Sequence, residues 1–390
     1  MVISFLSMGG TITAAQYCFG LFVEPLHHDF GWSRTEISAS LSFVAVGSLF
    51  GPLLGRLMDK YGARPILVGS CLLTGSAFLL RPFMTELWHW YALSFLQFAA
   101  FSGCTMLPAG RLIGLWFTER RGRMMGLTAA GPNVMGMFMP ALVVTIIAAS
   151  GWKSAYVALG LMMFVIAAAG QLFIREPDYG DKIEGTKRRA SIGGYTAKQA
   201  LRSPLFYSLT FAVILAFFTY GTVLPHVINH LTSQGITPVR AAGALGLLAL
   251  FGTLGKVTFG FLAEKVTARK SYAIDLFGQA VFTYLLATSD GSFLLWIAVP
   301  MYGFFLGGVG SLAPLVIQEA FGLKHFGAIM GWSSLATVIS FAAGPLLAGW
   351  SFDSTGSYDQ AFIVAAGAFL LGAIIFTISK PKNREPEINS

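Results

Sequence analysis

Long apolar stretches, each closed by a short polar or charged break, succeed one another along nearly the whole chain. They predict spans near 5–25, 36–56, 65–84, 86–112, 123–149, 153–174, 205–228, 239–263, 270–288, 292–317, 328–350 and 359–379. Stretches of about 20 residues match a hydrocarbon layer about 30 Å thick, where only helices or closed barrels satisfy their own backbone groups. The apolar residues run on continuously instead of alternating, which selects helices. An all-α membrane protein of twelve transmembrane helices is expected.

The breaks repeat. Gly55-Arg56-Leu57-Met58-Asp59-Lys60-Tyr61-Gly62-Ala63-Arg64, between the second and third spans, returns 205 positions later as Gly260-Phe261-Leu262-Ala263-Glu264-Lys265-Val266-Thr267-Ala268-Arg269. The same offset relates Gly47 to Gly252, Gly103 to Gly308, Gly122 to Gly327, Gly126 to Gly331 and Pro140 to Pro345. The chain reads as two copies of one membrane unit, residues 1–174 and 205–379, each of six spans. Residues 175–204 break the hydropathy with Arg175-Glu176-Pro177 and Lys187-Arg188-Arg189, as a linker would, and Ala197–Leu201 can form a short surface helix. The charged stretch 380–390 reads as a disordered tail.

The hairpin pattern Gly-x-Leu-x-Asp-x-x-Gly-x-Arg resembles the signature loop of the major facilitator superfamily. A narrower resemblance, to bacterial relatives of the monocarboxylate transporters, rests on three further segments. They are Phe30-Gly31-Trp32-Ser33-Arg34, Leu115-Trp116-Phe117-Thr118-Glu119-Arg120-Arg121-Gly122-Arg123 and Gly151-Trp152-Lys153-Ser154-Ala155-Tyr156. The resemblance implies two pseudo-symmetric six-helix bundles that rock about a central cavity, each bundle made of nested inverted repeats.

Composition agrees with a chain that lies in lipid: 55% of residues are hydrophobic and 11% charged, against about 25% charged in a soluble domain. The net charge of +8 does not mark a nucleic-acid partner, because its placement is one-sided. Loops on one face carry Arg56, Lys60, Arg64, Arg120, Arg121, Arg123, Lys265, Arg269, Lys270 and Lys324, while the other face has Arg34, Arg81, Lys153 and Arg240. That bias places both termini in the cytoplasm. Cys18, Cys71 and Cys104 lie in apolar runs and read as free buried thiols. The first run has no basic leader and reads as a retained span. No phosphate loop, His-Glu-x-x-His pair or Gly-x-Ser-x-Gly turn occurs, so neither an enzyme nor a cofactor or metal site is expected. There is no Asn-x-Ser/Thr sequon, which fits a bacterial inner membrane. A monomer is expected.

The candidate chemistry is concentrated in a few positions. Lys256 follows Leu254-Gly255 in the eighth span, where the resembling branch usually has an arginine that binds the substrate carboxylate. Lysine keeps the charge but not the planar fork. It lies eight residues from Glu264, about 12 Å along a helix, too deep to reach water easily. A charge at that depth costs at least ~2.5 kcal/mol unless it meets water or a partner. A bound anion, a neutral desolvated lysine, and a salt bridge to Asp275 or Glu319 would each answer that cost; the anion is the expectation carried forward. Tyr17, Asn133, Tyr220 and Tyr302 are expected to shape the pocket, although Asn133 and Tyr302 suit contact with a neighbouring helix equally well. Gly131-Pro132 should kink the fifth span. Asp59 is expected to cap a helix N-terminus, and Asp59, Glu264, Arg64, Arg269 and Arg111 to form a cytoplasmic gate in which arginines pair with carboxylates. Arg111 and Arg81 are read as snorkelling anchors or gate partners. Glu24 reads as an interfacial carboxylate or as a proton-coupling group.

These expectations add up to a secondary transporter of a small organic anion, a monocarboxylate by the resemblance, with the proton as candidate coupling ion. The rival readings are a transporter of neutral or cationic amphipathic compounds such as drugs or siderophores, and a sensor that does not transport.

Overall fold

The computed structural model describes residues 1–117, 119–176, 194–289 and 293–379. Most of the expected linker, 177–193, and the expected tail, 380–390, lie outside the described residues. Among those residues the chain is helical, and the sole β feature is an isolated bridge between Gly194 and Gly322.

Seven helices are long and apolar enough to cross a bilayer, and three more crossings are pairs of helices bent by 45–47°. One of the seven, Arg121–Phe173, is 53 residues long and holds two crossings, because its helix breaks at Gly151. With φ 79° and ψ 166°, Gly151 sits in a region that a side chain disfavours, between the two expected spans 123–149 and 153–174. The ninth crossing, Ala268–Thr288, is long enough at 21 residues but opens on Arg269 and Lys270 and carries Asp275. It completes the twelve.

Several crossings are less regular than the hydropathy pattern suggests. The first runs Val2–Ile12, passes through a π-helical turn at Thr13–Tyr17, and resumes as Phe19–Phe30 at 47°. The seventh ends in a second π turn, Thr219–Val223. With the repeat offset of 205, Thr13 maps to Phe218, so the two π turns occupy equivalent places to within one residue. The second crossing breaks at Phe50, just before Gly51-Pro52, and the fourth at Ala100 and Thr105, on either side of Gly103. The fifth breaks at Ala130, just before Gly131-Pro132. Proline and glycine release backbone hydrogen bonds that neighbouring helices can take up in a packed membrane protein.

The chain forms two compact units. The first comprises Met1–Thr118, Thr128–Gly194 and Gly322–Leu335, and the second Glu119–Leu127, Tyr195–Phe321 and Ala336–Ser390. The first turns of the fifth span therefore belong with the second unit, and those of the eleventh with the first.

In the first unit, Phe22, Phe78, Trp90 and Tyr156 are fully or almost fully buried. The expected snorkelling of Arg81 is not what the structure has. Its side chain turns inward, 4% exposed, with the guanidinium 4.5 Å from the Trp90 ring centre, 4.7 Å from that of Tyr156 and 5.1 Å from that of Phe78. Gln97 Oε1 accepts from it at 2.7 Å and Ser94 Oγ at 3.3 Å. Three aromatic faces and two neutral acceptors replace water around the charge. The same unit buries all three cysteines as free thiols, with Cys71 and Cys104 Sγ 3.8 Å apart beside the Ser7 hydroxyl.

The second unit is built on the eighth, ninth, tenth and twelfth spans. The eighth (Pro238–Lys265) and tenth (Phe293–Phe321) touch backbone to backbone, and a Cβ at Gly255 would collide with the Phe304 carbonyl. Gly243, earlier on the eighth span, has open space around the same position. The two glycines make a matched test. Gly255→Ala should lower stability by ~1–3 kcal/mol through overpacking, while Gly243→Ala should be neutral or gain up to ~1 kcal/mol of helix propensity. Thermal unfolding of the purified protein in detergent measures both; equal effects would contradict the packing described.

Candidate functional site

A carboxylate stands at each of four helix N-termini on the hairpin side. In the first unit, Asp59 Oδ1 accepts from the Gly327 amide at 2.9 Å and Oδ2 from the Ala328 amide at 2.8 Å. In the second, Glu264 Oε1 accepts from the Arg123 amide at 2.8 Å. The two arrangements are related by the repeat, since Asp59 maps to Glu264, Gly122 to Gly327 and Arg123 to Ala328. The first turns of the eleventh and fifth spans thus present unpaired backbone donors and a positive dipole end to a carboxylate. Close approach is needed for this, and glycine allows it: a Cβ on Gly55 would strike the Gly327 carbonyl, and one on Gly122 the Gly260 carbonyl.

The other two caps lie at the starts of the third and ninth spans. The Ala63 amide donates to Glu176 Oε1, and the Ala268 amide to Glu319 Oε2 at 2.7 Å. Ala63 and Ala268 are equivalent by the repeat, yet their caps come from different places, the end of the sixth span and the end of the tenth. Each follows a turn residue at positive φ, Gly62 at 90° and Thr267 at 148°. Threonine is a costly residue for that conformation.

The cations beside these caps divide unevenly. Arg111 Nη1 lies 3.1 Å from Asp59 Oδ1 and its Nε 3.3 Å from Glu176 Oε2, joining two caps through one guanidinium that is 12% exposed. Arg123 Nε lies 2.6 Å from Glu264 Oε2 and is 39% exposed. Arg269 Nη1 donates to the Ser379 carbonyl, and Arg64 is half-buried with no hydrogen-bond partner for its Nε among the described residues. The hairpin arginines therefore do not hold the hairpin carboxylates; arginines of the fourth and fifth spans do. Arg123, Glu176 and the capping role of Glu319 were not among the expected gate residues. The offset of 205 was a usable signal for Arg123, because it pairs Gly122-Arg123 with Gly327-Ala328.

The expected pocket residues fall in two groups. Tyr17 and Asn133 belong to the first unit. Tyr17 ends the π turn of the first span, 43% exposed, with its ring against Gly136, one turn beyond Asn133. Lys256, Tyr220 and Tyr302 belong to the second unit. Tyr220 lies in the π turn of the seventh span and stacks on Phe341 at 6.5 Å between ring centres. Tyr302 is fully buried and shares a hydrogen bond with Thr219 of that turn. Lys256 is half-buried, with its backbone packed against Gly126 and Gly307. Nine residues separate it from the end of its helix at Lys265, whereas every other described lysine or arginine of the second unit sits at a helix end or outside a long helix. The two acids considered as its partners have contacts of their own: Asp275 accepts from Gln279 Nε2 at 2.9 Å, and Glu319 caps Ala268. A π turn inserts an extra residue into a helix and re-aims the side chains on it, and such turns are frequent at functional sites.

Two π-broken helices at equivalent positions, a lysine set well inside the eighth span and a pair of carboxylate-capped crossings describe a carrier built from a duplicated membrane unit. The Major Facilitator Superfamily family model matches residues 3–262 and 209–390, and the chain belongs to that superfamily. It is 25% identical over 370 residues to monocarboxylate transporter 13 of Rattus norvegicus, covering 93% of this chain and 84% of that one. It is likewise 25% identical over 394 residues to monocarboxylate transporter 12 of Mus musculus, covering 93% and 81%. Among solved structures it resembles the proton:xylose symporter XylE bound to 6-bromo-6-deoxy-D-glucose, with a TM-score of 0.76 at 13% identity over 96% of this chain and 93% of that one. The human organic anion transporter MFSD10 aligns with a TM-score of 0.72 at 15% identity over 96% and 98%. The protein is a multi-pass membrane transporter on the monocarboxylate-transporter side of the superfamily, and not an enzyme.

The unequal burial of the two ion pairs carries a prediction. Arg111→Ala strands two partly buried carboxylates and should cost ~3–5 kcal/mol, whereas Arg123→Ala, at a more exposed pair, should cost about 1 kcal/mol or less. Chemical or thermal unfolding of the two variants in the same detergent compares them; a larger loss in Arg123→Ala would contradict the geometry.

Proposed function

We propose that the protein is a secondary transporter of small monocarboxylates, coupled to protons, working by alternating access with Lys256 as the group that holds the substrate carboxylate. The observation that carries this reading is the depth of Lys256 in the eighth span, nine residues from the helix end. An ammonium at that depth is costly unless it faces water or an anion, and it stands where a carboxylate arriving through a polar path would find an attractive charge. The names of the relatives, monocarboxylate transporters of rat and mouse, support the substrate class. Tyr17 and Tyr220, set by the two π turns, and Asn133 and Tyr302 are assigned to the walls that surround the substrate.

In this scheme the cap of Asp59 on Gly327 and Ala328, and the contact of Glu264 with Arg123, are made and broken as access alternates, while Arg111, Arg64 and Arg269 take part at the same gate. The halves 1–174 and 205–379 are the moving bodies. We place both termini in the cytoplasm, on the strength of the basic bias of the loops, and the chain in a bacterial inner membrane, with which the lack of an Asn-x-Ser/Thr sequon agrees. It acts as a monomer.

Proteoliposome uptake tests the reading. With a panel of labelled monocarboxylates and an inward proton gradient, wild-type protein should concentrate at least one of them. Lys256→Gln should reduce that uptake at least ~10-fold, the equivalent of about 1.4 kcal/mol, and Lys256→Arg should restore part of it. Uptake indifferent to Lys256→Gln, or a preference for the uncharged amide of the substrate, would overturn the assignment.

A further inference from the structure

The ninth span carries a buried polar stripe that none of the preceding roles uses. Ser271, Asp275, Gln279 and Thr283 recur every fourth residue along Ala268–Thr288, and all four side chains are 0% exposed. Four-residue spacing keeps them near one face of the helix, over about 18 Å of its length at 1.5 Å per residue. Ser271 Oγ, Asp275 Oδ1, Gln279 Oε1 and Thr283 Oγ1 each have no hydrogen-bond partner among the described residues. Buried polar atoms are ordinarily paired, and a buried charge still more so. Four orphans on one face of one helix need a common reason.

Asp275 is the centre of the stripe. Its Oδ2 accepts from Gln279 Nε2 at 2.9 Å, and its Oδ1 occupies the space where a side chain at Gly308 of the tenth span would stand. None of the ion pairs described above involves Asp275. The ionisable groups around it are few. Its own helix offers Tyr272, whose hydroxyl donates to the Val309 carbonyl at 3.3 Å. The tenth span offers Tyr302, and the seventh Tyr220 beyond it. The twelfth span presents Phe369, Gly372 and Phe376 and no ionisable side chain after Asp359. On the eighth span, Phe259 is the neighbour at Gly308, and Lys256 meets the tenth span through its backbone at Gly307.

A single proton resolves the central two of these four, Asp275 Oδ1 and Gln279 Oε1. On Asp275 Oδ1 it removes the charge and creates a donor next to an amide whose Oε1 lacks one. The acid and the amide then form a reciprocal pair: Gln279 N–H to Asp275 Oδ2, and Asp275 O–H to Gln279 Oε1. We propose that Asp275 is the proton-carrying group of the transporter, positioned by Gln279, with the Ser271 and Thr283 hydroxyls marking the route by which the proton reaches and leaves it along the ninth span. The proposal rests on the proton-coupled reading above and names the side chain that carries the coupling ion. The carboxylate gains a proton from one side of the membrane and returns it to the other, with no other bond made or broken.

Infrared difference spectroscopy of the full-length protein in lipid nanodiscs tests the site without any substrate. Wild type should show, at neutral pH, a protonated carboxylic-acid carbonyl band that Asp275→Asn lacks. Gln279→Leu, which removes the positioning amide, should move that band to higher wavenumber. Absence of the band in wild type, or its persistence in Asp275→Asn, overturns the proposal. If Asp275→Asn fails to fold, the Gln279→Leu shift decides alone, and an unmoved band counts against the assignment. Transport supplies the second arm: stimulation of carboxylate uptake by an inward proton gradient should be lost in Asp275→Asn and retained in Glu24→Gln. Retained stimulation in Asp275→Asn overturns the carrier role even if the band is present. Failure of wild type to move any monocarboxylate would instead fell the substrate reading, and the infrared arm would then judge Asp275 by itself.

Discussion

In hydrocarbon every backbone amide must find an acceptor within the protein, and the start of a helix is where four of them lack one. This protein answers with carboxylates at four helix starts: Asp59 for Gly327 and Ala328, Glu264 for Arg123, Glu176 for Ala63 and Glu319 for Ala268. The same contacts bring glycine-lined helices close enough to touch backbone to backbone at Gly55–Gly327 and Gly122–Gly260. Close packing and capping therefore depend on each other. A larger residue at either glycine would push the amides out of reach of the carboxylate, and a missing carboxylate would leave the closest-packed helix ends unsatisfied.

Much of the architecture was legible in the chain because lipid imposes so coarse a pattern. Twelve apolar runs and a constant offset gave the twelve crossings and their duplication, and the break at Gly151 fell between two expected spans. The carboxylate caps were partly legible. Asp59 and Glu264 stood out because the same kind of residue recurs at the same place, and Arg111 was expected near them, but Arg123 was not. Arg111 and Arg123 are brought to the carboxylates by helix packing, and neighbouring charges in the hairpin, Arg64 and Arg269, were the nearer candidates in sequence. Proximity along the chain was a poor guide to proximity in space.

What escaped the sequence reading altogether was subtle in composition. The π turns at Thr13–Tyr17 and Thr219–Val223 leave no residue signature comparable to a proline kink. Arg81 looked like a surface anchor because arginine near a span end usually reaches for water, and only the placement of Trp90 and Tyr156 reveals the alternative. The stripe on the ninth span was visible in principle as Ser271, Asp275, Gln279 and Thr283 at intervals of four. Serine, glutamine and threonine are unremarkable one by one, and which face of that helix is buried had to come from the packing.

The three cysteines have a practical bearing. Each is sealed within the first unit, away from solvent, so water-borne thiol reagents have no native target to modify. A single cysteine introduced at a chosen position would be the one label acceptor on an otherwise silent background, and spectroscopic probes could follow motion in the unaltered remainder of the chain.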